Sequence, residues 1–166
     1  MKDINVTSLD KRIINVIDQL PRRGHFPLRK ISEITHISVH HSASQMGRFT
    51  LTDFANWHIS PTGRLKAPAI CYHFGIEGDG SIYQVNNLDE IAWHTIGANL
   101  YSIGIELNGN FENEEPTSEQ LDSLKWLVEY LKETLKKDLI VKGHKEYPGN
   151  STACPGKNLL NKIHIL

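Results

Sequence analysis

The strongest constraint on this chain lies between Thr117 and Leu135, where Leu121, Leu124, Leu127, Val128, Leu131 and Leu135 recur at helical spacing of three and four. That period gathers them into one stripe along a helix. Thr117 and Gln120 make the capping-box pattern that starts it. A helix with a single apolar stripe is stable only against a second apolar surface, so the rest of the chain has to supply one.

Several short runs have the pattern of strands. Ile34 to Ser42 alternates, with Thr35, Ile37, Val39 and His41 on one face and His36, Ser38 and His40 on the other, and ends in the pair His40-His41. Ala69 to Glu77 and Ser81 to Val85 flank Gly78-Asp79-Gly80 and read as a hairpin, in which Tyr72 and His73 face opposite ways. Ser102 to Asn108 is β-prone, and Leu139 to Val141 reads as a buried strand leading to Gly143-His144. Thr50 and Asp53 cap a helix over Leu51 to His58 that carries Phe54, Trp57 and His58. Ile13, Ile14, Ile17 and Leu20 predict a short amphipathic helix over Ser8 to Leu20, capped by Ser8 and stopped by Pro21. Lys145 to Gly156 is a loop, and no internal repeat or low-complexity linker interrupts the chain.

Composition limits the classes of function. With 166 residues, 39% hydrophobic and 22% charged, one ordinary domain over 1–166 is expected, with a helical extension over 1–30 and a core over 34–160. A formal charge of -1 with 9 His neutral gives no extended cationic face, which argues against nucleic acid as a partner. No apolar run approaches the roughly 20 residues of a membrane span, so no membrane partner is expected. Met1-Lys2-Asp3-Ile4 lacks the apolar core of a signal peptide, so a soluble, cytoplasmically made monomer is expected.

A catalytic zinc site takes three protein ligands and leaves a fourth position open for water. His40, His144 and Cys154 sit at a strand end or in a loop after one, where side chains can converge over a sheet edge. Their spacing matches neither a zinc finger nor the helical metalloprotease motif, so spacing alone only suggests the site. For His36, His58, His73 and His164 a hydrogen-bonded place in the core is the simpler expectation, as is an inert buried thiol for Cys71 and a core position for Trp57.

The ordered segments Ile37-Ser38-Val39-His40-His41-Ser42-Ala43, Trp57-His58, Tyr72-His73-Phe74, Ala92-Trp93-His94, Ser102-Ile103-Gly104-Ile105-Glu106-Leu107, Gly143-His144-Lys145-Glu146 and Ala153-Cys154-Pro155-Gly156 carry a family resemblance. Together they resemble the type 2 N-acetylmuramoyl-L-alanine amidases, which include amidase-type phage lysozymes, bacterial autolysins and the peptidoglycan recognition proteins. The resemblance runs from about Ile34 to about Leu160. It implies an α/β fold, a central mixed sheet flanked by helices with the metal in a groove at one sheet edge.

The same resemblance implies a Zn2+ cofactor on His40, His144 and Cys154, and peptidoglycan as partner. It assigns catalytic roles to Tyr72 and Glu106 and places Thr152 where some phage enzymes have lysine, substituting a weaker hydroxyl donor near the oxyanion. His94, with His41 beside the first ligand, is implied for substrate contact. Tyr101 departs from the small polar residue often found before Ser102. The implied activity is hydrolysis of the amide between the muramic acid lactyl group and L-alanine of the stem peptide, in a wall-acting enzyme of endolysin or autolysin type. The rival is a non-catalytic peptidoglycan-binding module, and Cys154 discriminates between them, because some recognition proteins of the family have lost that ligand.

Overall fold

The computed structural model describes residues 10–165. Six strands form one sheet: β1 (Ile13–Asn15), β2 (His36–His41), β3 (Phe74–Ile76), β4 (Ile82–Gln84), β5 (Ser102–Leu107) and β6 (Ile140–Gly143), in the spatial order β1-β4-β3-β5-β2-β6. All neighbouring pairs are parallel except β3 with β4, the hairpin closed by the turn at Gly78-Asp79-Gly80. Among the described residues three α-helices accompany it: α1 (Leu51–Ile59), α2 (Ser118–Leu135) and α3 (Lys157–Ile163). The architecture is the expected α/β one, a mixed sheet flanked by helices.

The two faces of the sheet differ chemically, and this difference places the site. In the β2–β5 register Ile37 pairs with Ile103, Val39 with Ile105 and His41 with Leu107 on one face, while Ser38 pairs with Gly104 and His40 with Glu106 on the other. The apolar face receives α2, whose Leu124, Leu127, Val128, Leu131 and Leu135 join Ile37, Val39, Phe74, Ile76, Ile103, Ile105 and Leu107 in the main core. Burying each such side chain contributes ~1.5–3 kcal/mol, enough to make the stripe the principal anchor of the layer. The helix starts as expected, with the Thr117 side chain accepting from the Gln120 amide and the reverse bond also present. Gln120 is fully buried and also donates through Nε2 to the carbonyls of Ile76 and Asn108, tying the helix start to the sheet.

Only part of the polar face is covered. The Thr50–Asp53 capping box starts α1, which packs Leu51, Phe54 and Ala55 with Ile70 and Val85. The remainder, at the C-terminal ends of β2 and β5, carries the buried polar pair His40 and Glu106.

Three expectations need correcting. Ile13–Asn15 is a strand and Ile17–Gln19 a single 3-10 turn, so no helix runs to Leu20; Ser8 lies outside the described residues. Ile13, Ile14, Val16 and Ile17 are β-branched, and the free edge of β4 offers pairing that outweighs a helical period. Ile13 is buried and Ile14 45% exposed, the alternation of a strand. Second, β6 is an edge strand, so Leu139 is buried while Ile140 is 52% exposed. Third, the hairpin's first strand begins only at Phe74; the preceding Ile70 to Tyr72 is irregular and held by the buried Asn86, whose Nδ2 donates to the carbonyls of both residues. The short α3 has too few turns to show a period in the sequence.

Candidate active site

His40 is the penultimate residue of β2 on the polar face, about 1% exposed. Gly143 at the end of β6 pairs with Val39, so His144 follows at the level of His40, and their ring centroids are 4.6 Å apart. Cys154 returns to the same place through the loop after β6, anchored by the Lys145 amide donating to the Cys154 carbonyl at 2.9 Å. Its Sγ lies 3.5 Å from His40 Nδ1. The loop then passes Gly156, whose φ of +88° and tight approach to the backbone of Phe111 and Glu112 exclude a side chain. One donor atom from each of His40, His144 and Cys154 lies within 4.8 Å of the others.

The other nitrogens of both imidazoles are already engaged. His40 Nε2 is 3.0 Å from Ser38 Oγ and 3.2 Å from His94 Nδ1, and Ser38 and Thr95 hydroxyls are 2.7 Å apart. His144 Nε2 is 2.9 Å from Asn150 Oδ1. Burial, reinforced by neighbouring histidines, holds His40 well below its usual pKa, and burial also lowers His144. Both rings are therefore neutral, the form in which imidazole ligates a metal. Burial pushes the Cys154 thiol up to about 12, a shift that a bound cation reverses by favouring the thiolate. Two nitrogens and one sulfur with partners on the outer nitrogens fit a metal of intermediate softness with a position left open.

The remaining expected residues fall at different depths. Glu106 stands beside His40 in the register, 1% exposed, with Oε1 lacking any partner among the described residues. Burial, then the nearby Glu77 charge, raises its pKa to about 8. Tyr72 is half-buried with its ring 5.2 Å from that of His40; burial, then Cys154 and Glu106, keeps its hydroxyl protonated. Thr152 Oγ1 accepts from the Cys154 amide at 3.1 Å. His94 is 7% exposed on the polar face beside His40, its ring lying so close over Gly104 that a Cβ there would come within 2.7 Å of Cγ. His41 lies on the apolar face, and its Nδ1 accepts from the Phe111 amide.

Sequence reasoning missed Arg29. It is buried, and its guanidinium donates to the carbonyls of Leu88, Asn99, Leu100 and Ser102, fixing the loop that presents His94. Nothing in the local sequence marks it. His58 accepts from the Cys71 amide and His73 is fully buried, as expected of hydrogen-bonded histidines. His36 instead stands half-buried against Tyr101, and His164 is exposed beside Glu146, because one lies at the N-terminal end of its strand and the other beyond the last helix. Trp57 is 48% exposed and packs edge-on against Phe49 and Phe54 rather than filling the core.

The sequence profile described as N-acetylmuramoyl-L-alanine amidase matches residues 30–157, a span that begins just before β2 and ends just past Cys154. The chain belongs to the N-acetylmuramoyl-L-alanine amidase family. Among curated relatives, peptidoglycan-recognition protein SC2 of Drosophila melanogaster is 28% identical over 159 residues, covering 90% of this chain and 85% of that protein. Its Drosophila simulans counterpart is 30% identical over 138 residues, covering 80% and 73%. Among solved structures, the endolysin N-acetylmuramoyl-L-alanine amidase LysCS from Clostridium intestinale is 28% identical with a TM-score of 0.74, covering 92% of this chain and 91% of that one. Drosophila PGRP-LB is 27% identical with a TM-score of 0.75, covering 91% of each. Proteins named for amidase activity and proteins named for peptidoglycan recognition thus both stand among those to which this chain is similar.

Proposed function

We propose that this chain is a zinc-dependent amidase that hydrolyses the bond between the lactyl group of N-acetylmuramic acid and L-alanine of the peptidoglycan stem, degrading the bacterial cell wall. The observation that carries the reading is the convergence of His40, His144 and Cys154, with no ligand position replaced. These residues would hold the zinc. Bound there, zinc supplies Lewis acidity toward the amide carbonyl and toward water.

The chain's own residues divide the rest of the work. Glu106, with a free Oε1 and a pKa near 8, takes the proton of the attacking water and returns it to the leaving amine; a group titrating close to neutrality suits both transfers. Tyr72, kept protonated, donates to the oxyanion. Thr152 accepts from the Cys154 amide, which leaves its hydroxyl proton free to donate. His94 stands beside His40 on the polar face, its Nδ1 3.2 Å from His40 Nε2, whereas His41 is engaged on the opposite face; of the two we assign substrate contact to His94 alone.

Among the described residues no helix is long and apolar enough to cross a membrane. The second reading, a peptidoglycan-binding module without catalysis, draws support from the recognition proteins among the relatives. Turnover of peptidoglycan by the parent, Tyr72→Phe and Glu106→Gln tests the assignment of roles. General acid-base groups contribute about a hundredfold or more, so at least one replacement is expected to lower kcat more than about tenfold. If neither does so, the assignment fails.

A further inference from the structure

Asn150 occupies the loop between two of the proposed ligands, and its amide is fixed by backbone groups whose hydrogen-bonding roles are unambiguous. Its Oδ1 accepts from the Ile96 N–H at 3.2 Å, which only an oxygen can do. Its Nδ2 donates to the carbonyls of Ile96 at 3.0 Å, Pro148 at 3.2 Å and Tyr147 at 3.4 Å, which only the nitrogen can do. The orientation of the amide is thus set independently of His144. That same oxygen lies 2.9 Å from His144 Nε2. An oxygen acceptor there requires the proton on Nε2, so the lone pair is left on Nδ1.

We infer that Asn150 is a positioning residue for the metal site: it locks His144 in the Nε2–H tautomer and fastens the His144 loop to the segment Trp93 to Ile96 that carries His94 and Thr95. The inference rests on the reading of His144 as a metal ligand. His94 and Thr95 contact His40, at 3.2 Å and 3.3 Å from its Nε2. The Asn150–Ile96 clasp therefore joins the surroundings of two ligands that lie far apart in sequence. Outer partners of this kind typically change metal affinity by about 10–100-fold when removed.

The test compares the parent, Asn150→Ala and Asn150→Asp. Each protein is stripped of metal, checked for folding by circular dichroism, and titrated with zinc against a chromophoric chelator. Aspartate keeps the oxygen acceptor facing His144 and the Ile96 amide while losing the donor set. The expected result is a fall of about 10–100-fold for alanine and a loss under about tenfold for aspartate, which keeps the ring-facing bond although its second carboxylate oxygen meets the carbonyls of Ile96, Pro148 and Tyr147. An alanine variant with parental affinity, or an aspartate variant that loses as much as alanine, overturns the inference. If alanine fails to fold, the aspartate variant carries the test: a loss under about tenfold supports the role and a larger one overturns it. A parent that binds no zinc overturns the metal reading itself, an outcome distinct from parental binding that Asn150→Ala leaves unchanged.

Discussion

His40 and Glu106 occupy paired positions on the adjacent parallel strands β2 and β5, both about 1% exposed on the same face of the sheet. One is a neutral imidazole and the other a carboxyl held up to about 8 from its ordinary 4.5. In the metal-free protein the folded state therefore keeps a proton on Glu106 that the unfolded state has lost between those pH values. Its contribution to stability falls as pH rises through that window and levels off above it. Glu106→Gln removes the dependence. In chelator, the variant is expected to gain on the parent in denaturant midpoint between about pH 5 and about pH 9, with no gain below about pH 4.5. A constant difference across this range would contradict the placement of that carboxyl.

The buried histidines act in the opposite sense. Burial holds His41 and His58 at about 4 and His94 at about 3, all below their ordinary 6.5. The unfolded chain takes up protons that the folded one refuses, so stability present above pH 6.5 is lost as pH falls toward 4. Urea unfolding of the chelated protein at a series of pH values is expected to show a midpoint that drops steeply over this interval. A flat profile would mean that these rings are accessible to solvent.

Cys154→Ser tests the metal group directly. A hydroxyl replaces the soft donor while the loop keeps the Lys145–Cys154 backbone bond. Zinc retained after dialysis against a weak chelator is expected to fall from one equivalent to near none, with the far-ultraviolet spectrum unchanged. Full retention would remove Cys154 from the ligand set.

Leu127 is fully buried at the centre of the α2 stripe. Leu127→Ala is expected to lower unfolding free energy by about 2–5 kcal/mol. Because α2 covers the face of the sheet opposite His40, kcat measured well below the melting temperature should stay within about twofold of the parent, as expected for a distant, uncoupled site. A large loss of kcat in a folded variant would show that the two faces are coupled.

How far the sequence discloses this site depends on the length scale of each signal. The stripe of α2 and the alternation of β2 are local and periodic, and both survive into the fold with their faces as expected. The segment Ile13 to Leu20 has a period too, but one that β-branched residues can satisfy equally as a strand once β4 offers an edge. The convergence of His40, His144 and Cys154 was legible only through ordered motifs, because spacing alone did not distinguish ligands from buried polar residues. Arg29 and Asn150 carry no local pattern at all: beside the rings of His73 and His144, their partners are backbone carbonyls and amides, which no residue type announces.

The role proposed for the His40–His144–Cys154 group is amide hydrolysis on peptidoglycan. It is tested most directly by digesting purified cell walls with the protein, with and without chelator, and assaying both newly exposed amino termini and reducing sugars. New N-terminal alanine without new reducing ends, abolished by chelator and restored by zinc, is the predicted result. New reducing ends, or binding to the walls with no product released, would contradict it.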